Sequence, residues 1–162
     1  MRFAAWLETV PETIRQDSLW KMKAYRYALF AADVAWPDVN KLQKDSRTRS
    51  LSDQLYRSVG SVSANIAEGY SKGSSKDRAR FYEYALGSAR EARDWYYKAR
   101  HILGPEVTSQ RLELFKAIIQ LLLTMIPQQR RANQVLREPG SIYHDESEIQ
   151  NTVRIDDMTF DT

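Results

Sequence analysis

The sequence predicts an all-α protein: an antiparallel up-down-up-down four-helix bundle with a flexible N-terminal extension and an acidic C-terminal tail. Three observations carry this prediction. Apolar residues recur at steps of three and four in four long segments. No segment alternates apolar and polar residues convincingly for long, as a half-buried strand would. The connectors are short, about four to eight residues, which favours antiparallel neighbours. A chain of 162 residues suffices for one domain and a modest core. The pattern divides it into an extension over 1–17, a bundle over 18–139 and an acidic, flexible tail over 140–162.

The first helix is expected over about 18–44. Asp17 or Ser18 caps it, and Leu19, Met22, Tyr25, Leu29, Ala32 and Trp36 form its stripe. Pro37 lies inside, where its ring and missing N–H predict a break or kink. After "KDSRTRS", the second helix starts near Ser50 or Ser52, with Leu51, Leu55, Val59, Val62 and Ile66 as its stripe. Gly69 is a natural stop, because glycine accepts the left-handed conformation at low cost. The third helix follows the loop "YSKGSSK". It begins at Ser74 or Ser75 with Asp77 in its first turn. Its stripe is Phe81, Ala85, Ser88, Ala92, Trp95, Ala99 and Ile102, and it closes at Gly104–Pro105. The fourth begins at Thr108 or Ser109. It carries Leu112, Phe115, Ile119, Leu122 and Ile126, and Pro127 kinks or ends it.

Composition excludes several classes. There is no cysteine, so there are no disulfides or thiolate metal sites, which is compatible with a reducing cytoplasm. No apolar run approaches the roughly 20 residues that span a bilayer. The longest, "AIIQLLLTMI", is interrupted by Gln120 and Thr124, and the N-terminus makes a poor signal peptide. The net charge of +3 hides an asymmetry. Residues 1–140 hold 23 Lys/Arg against 15 Asp/Glu, a balance of +8. Residues 141–162 hold one arginine against six acids, a balance of −5. A basic body attracts polyanions, and an acidic tail can compete for the same surface.

No catalytic constellation emerges. The two histidines are His101, near a helix end where a cation suits the dipole, and His144, in the acidic "YHDESE". A di-metal bundle would need Glu-x-x-His, but Lys98 and Ser141 precede the histidines by three. "GYSKGSSKD" lacks the spacing of a phosphate loop. Asn65 and Glu68 lie beside the apolar stripe of "VSANIAEGY". Their structural reading is a buried amide that fixes helix register and a carboxylate with Arg57 and Arg80 as candidate partners, Arg57 first.

The basic residues say more. Arg47 and Arg49 lie in one connector, and Lys72, Lys76 and Arg78 in the next. Arg90, Arg93 and Arg100 are interleaved with Trp95, Tyr96 and Tyr97. Cations neutralise phosphates and aromatic rings stack on unpaired bases, so these eight are the candidate nucleic-acid or partner contacts. Glu91 and Asp94 sit among them at helical pairing distance.

The stretch "DQLYRSVGSVSANIAEGYSKGSSKDRARFYEYALGSAREARDWYYKAR" resembles the central motif of the four-helix bundle proteins associated with the intervening sequence of 23S ribosomal RNA. That family includes the accessory variability determinant of diversity-generating retroelements. Gln54–Arg57, Asn65–Gly69, Phe81 and Ala85–Glu91 carry the likeness. The resemblance implies a cytoplasmic, non-enzymatic protein with no catalytic residue, cofactor or metal. It implies a homopentamer that binds a reverse transcriptase and RNA or cDNA in support of mutagenic reverse transcription and retrohoming. The alternative it allows is an interaction or scaffold module without a nucleic-acid role. It makes Arg57, Asn65, Glu68 and Gly69 structural. It also gives the extra apolar width of the fourth helix, at Leu121, Leu123 and Met125, a use as a subunit contact.

Overall fold

A computed structural model describes residues 1–135 and 155–161, and the side chains of all of these except 133–135. The described residues are all-helical, with no strand among them. Two short helices, α1 (Phe3–Thr9) and α2 (Glu12–Arg15), lead through a 3-10 turn at Ser18–Lys21 into four long ones. These are α3 (Lys23–Gln43), α4 (Arg49–Tyr70), α5 (Ser75–Leu103) and α6 (Pro105–Val135). Each long helix packs on the next, and α3 also meets α5 and α6. No described helix is long and apolar enough to cross a membrane.

α4 is built as its pattern predicts: Leu55, Val59, Val62 and Ile66 are buried, and Leu51 is half-buried. The Ser74 hydroxyl caps α5 by accepting the Asp77 N–H at 3.1 Å. Gly104, at φ 90°, stops that helix in a conformation open to glycine. In α6, Phe115, Ile119, Leu122 and Ile126 are buried as expected, joined by Leu114, Ala117 and Ile118.

Four expectations need correction. The α3 stripe is not the core face: Trp36 is 57 % exposed, and Tyr25, Leu29 and Ala32 are half-buried. The buried residues of α3 are Ala24, Tyr27, Ala28, Phe30, Ala31, Val34, Ala35, Asp38, Val39 and Leu42. Its four buried alanines let neighbouring helices approach closely, and a pattern weighted by side-chain size passes over them. In α5 the expected Ala85, Ala92 and Ala99 are buried, but the large side chains of the core are Tyr82, Tyr96 and Leu103, one residue on from the half-buried Phe81, Trp95 and Ile102, and Ala89 replaces the half-buried Ser88. Of the break or kink expected at Pro37 and the kink or end at Pro127, the break and the end do not occur, since α3 runs on to Gln43 and α6 to Val135. Each proline removes one ladder bond, which the packing of a long helix offsets.

The fourth correction concerns the ends. The expected flexible N-terminal extension is packed: Phe3 and Trp6 are buried. The Phe3 ring lies edge-on to Tyr27 at 4.9 Å and to Phe30 at 5.3 Å. The Trp6 indole N–H donates to the Asp33 carboxylate. The far end of the acidic tail is packed as well. Ile155 and Phe160 are fully buried, and the Phe160 ring meets Phe30 edge-on at 5.0 Å. The Phe160 N–H donates to the Met1 carbonyl at 2.8 Å, and Arg2 and Thr159 form an isolated antiparallel bridge. Net charge dominates the sequence pattern there, but Ile155 and Phe160 decide the outcome. The rest of the tail through residue 154, including His144, Asp145, Glu146 and Glu148, lies outside the described residues.

Candidate nucleic-acid interface

The polar core of this protein is not where "ANIAEG" suggests. It is a knot joining α3, α5, α6 and the C-terminal segment. Arg111 is fully buried, and its guanidinium donates twice to Asp38: Nε to Oδ2 at 2.7 Å and Nη2 to Oδ1 at 3.2 Å. Nη2 also donates to the carbonyls of Val34 and Asp161. The Tyr96 hydroxyl donates to Asp38 Oδ2 at 3.0 Å. Burial pushes this hydroxyl well above its ordinary value of 10.0, and the Asp38 carboxylate pushes it further. The Phe160 ring lies 5.8 Å from the guanidinium carbon. A buried ion pair holds when its geometry is good and its remaining donors are satisfied, as here.

The motif residues do other work than expected. The Asn65 amide is half-buried and donates to its own helix, to the Ser61 carbonyl at 2.8 Å, so it ties no second helix. Glu68 is exposed and accepts from Lys72 at 3.1 Å, not from Arg57. Arg57 is exposed and makes no ion pair with another described residue. The turn of four between Glu68 and Lys72 is the favoured helical pairing, while Arg57 lies three turns back. Gly69 is inside α4, which ends at Tyr70, and it has no positive φ. Its role is close approach: a Cβ there would stand 2.8 Å from Tyr82 Cε1 and 2.9 Å from Phe81 Cβ.

The basic residues fall in three places. Arg47 is spent on Asp45, whose carboxylate accepts from its Nε at 2.9 Å and from its Nη2 at 2.6 Å. These bonds, with the Arg47 backbone N–H, hold the Asp45 carboxyl down at about 2. Arg49 reaches the Gln43 carbonyl at 3.4 Å. On the next connector, Lys72 pairs with Glu68 and lies 4.6 Å from the Phe81 ring centroid. Lys76 is exposed. Arg78 is half-buried, with Nε bonded to the Lys72 carbonyl at 2.7 Å. It lines a groove of about 630 Å³ with Met22, Tyr82, Leu121 and Met125. Two of the expected subunit-contact residues thus share that groove, whereas Leu123 is 46 % exposed and lies outside its lining.

The third place is a furrow along the outer faces of α5 and α6. Arg90, Arg93, Tyr97 and Arg100 follow one another at steps of three, four and three, which puts them on one face of α5. Two open hollows, of about 440 and 390 Å³, make up the furrow. Arg100 and His101 line the first, Arg90, Arg93 and Lys116 line the second, and Tyr97, Leu112 and Glu113 line both. Its carboxylates are each matched by a lysine: Asp94 by Lys98, and Glu113 by Lys116 at 3.0 Å. Arg90 and Arg93 make no ion pair with another described residue, so the furrow is left positive. Lys116 escapes sequence reasoning because it lies outside the basic runs, flanked by Phe115 and Ala117. Of the "WYY" aromatics, Tyr96 is buried and Trp95 is half-buried with its N–H on Glu91, so Tyr97 alone is presented. Among the described residues no group of His, Asp and Glu is placed to hold a metal ion.

Comparison with curated proteins finds no match, and comparison with solved structures finds none. A family model does match, that of the 23S rRNA-intervening sequence protein, over residues 21–131. The matched span takes in all four long helices up to Arg131, the Gly69 crossing and the whole furrow, and it leaves out the packed termini. It covers more than half of the chain, which therefore belongs to the 23S rRNA-intervening sequence protein family.

Proposed function

We propose that this protein is a non-enzymatic accessory factor that binds nucleic acid through the α5–α6 furrow. The four long helices form an antiparallel up-down-up-down bundle, a reading supported by the short connectors and by each helix packing on the next. The bundle works in the cytoplasm and assembles with further copies of itself into a homopentamer, with Leu121, Leu123 and Met125 near the contact. Its partners are the reverse transcriptase of a diversity-generating retroelement and the template RNA or cDNA, in support of mutagenic reverse transcription and retrohoming. The retroelement and pentamer assignments rest on the resemblance of the ANIAEG and ALGSARE stretches. The single observation behind nucleic-acid binding is the furrow, where Arg90, Arg93 and Arg100 line a concave surface whose carboxylates already have lysine partners.

Fluorescence anisotropy with a labelled RNA across a salt series tests this reading. Binding is expected to weaken steeply with salt, and the variant Arg90→Glu/Arg93→Glu/Arg100→Glu to abolish it. Unchanged binding by that variant overturns the reading. One observation favours a second reading, a scaffold without a nucleic-acid role: Arg47, Lys72, Lys98 and Lys116 are all paired with acids of this chain. Absence of RNA binding by the unmodified protein would favour it.

A further inference from the structure

We infer that the furrow takes single-stranded nucleic acid, with one unpaired base stacked on the Tyr97 ring. The inference rests on the nucleic-acid reading above and deepens it. Tyr97 is 54 % exposed, although it lies in a helix with a large buried face. It lines both hollows of the furrow and so stands between them. Its ring is braced. The Arg100 guanidinium lies 4.2 Å from the ring centroid, and Arg100 Nη1 donates to the Tyr97 carbonyl at 2.8 Å. A ring held this way loses little freedom when a second flat group stacks on it.

The surroundings suit one nucleotide of a strand. Leu112, half-buried, gives both hollows an apolar element beside the ring. Arg90 and Arg93 line the hollow on one side of Tyr97, and Arg100 lines the other. Phosphates on either side of a stacked base therefore meet a cation. Arg90 and Arg100 are ten residues apart, about 15 Å along the helix. A duplex offers such a site its phosphates alone, because its base faces are already stacked on one another. An unpaired strand offers both phosphates and a free base face.

The test uses the full chain and two fluorescent probes: a short single-stranded RNA, and the same strand annealed to its complement. Anisotropy is read at one fixed, low salt concentration, with circular dichroism confirming the fold of each variant. Tyr97→Ala is expected to weaken single-strand binding roughly tenfold to a hundredfold and to leave duplex binding unchanged. Tyr97→Trp is expected to keep or strengthen it. If Tyr97→Ala leaves single-strand binding unchanged while Arg90→Gln/Arg93→Gln/Arg100→Gln weakens it strongly, the stacking inference falls and the nucleic-acid reading stands. An equal loss for both probes with Tyr97→Ala also overturns it, since a merely positioning tyrosine would act that way. If the triple arginine variant binds as the unmodified protein does, both readings fall.

Discussion

Arginine does opposite work on the inner face of α6 and the outer face of α5. Arg111 is sealed in the core with each of its nitrogens donating, to Asp38, Gln110, Val34 and Asp161. Arg90 and Arg93 stand in an open furrow with no acid of the described chain matched to them. The side chain is the same, and its surroundings set the role. Where the guanidinium is buried, nearly all its value is structural, and removing it strands a carboxylate away from water. Where it is exposed, it adds almost nothing to stability and is free to meet an outside anion.

That contrast breaks first at the knot. Arg111→Met leaves Asp38 buried and unpaired, so urea unfolding is expected to show a loss of about 3–5 kcal/mol. Removing the acid as well, in Arg111→Met/Asp38→Leu, is expected to restore much of it. Phe160→Ala comes next. It empties a fully buried aromatic site beside the guanidinium, a loss of about 3 kcal/mol at the low end for such changes. Tyr96→Phe is smaller, about 1 kcal/mol for one hydrogen bond. It sharpens the comparison through pH. Tyr25, Tyr27, Tyr82 and Tyr96 all hold their protons more tightly in the folded state than the ordinary value of 10.0, burial being the first cause in each. Their contribution is complete below about pH 10 and is lost as pH rises beyond it. The alkaline fall in stability is therefore expected to be shallower in Tyr96→Phe. The smallest effect belongs to the furrow. Arg90→Ala/Arg93→Ala/Arg100→Ala is expected to change stability by no more than about 0.5 kcal/mol for each substitution. The same variant is expected to lower the salt slope of single-strand binding by about 2.

How much of this the sequence discloses depends on how local the cause is. The α4 stripe, the Ser74 cap and the Gly104 stop are set by residues within a turn or two of each other, and each is legible. Arg90, Arg93 and Arg100 are legible as a basic face because helical spacing alone aligns them. Which cations are free is not legible, since that depends on which acids the fold brings near. The knot is further out of reach. Asp38 and Arg111 are 73 residues apart, and each alone reads as an ordinary surface charge. Asn65 and Glu68 mislead for the converse reason: they stand next to an apolar stripe in the sequence but turn to their own helix and to solvent. The α3 core face is missed because alanines and Asp38 stand between its large side chains, and the termini because three aromatics and one isoleucine outweigh the charges around them.

The pairing of the two ends carries a kinetic consequence. The long helices meet mainly their neighbours in the chain, so their contacts form over short loops. Met1 and Phe160 lie 159 residues apart, and their contact closes a loop of nearly the whole chain. Such a contact is expected to form late in folding and to open early. In native-state hydrogen exchange the Phe160 amide, bonded to the Met1 carbonyl, then reports a local opening that leaves α4 and α6 protected. During that opening Arg111 loses the Asp161 carbonyl and its Phe160 cover, and water reaches an ion pair that the closed fold keeps dry.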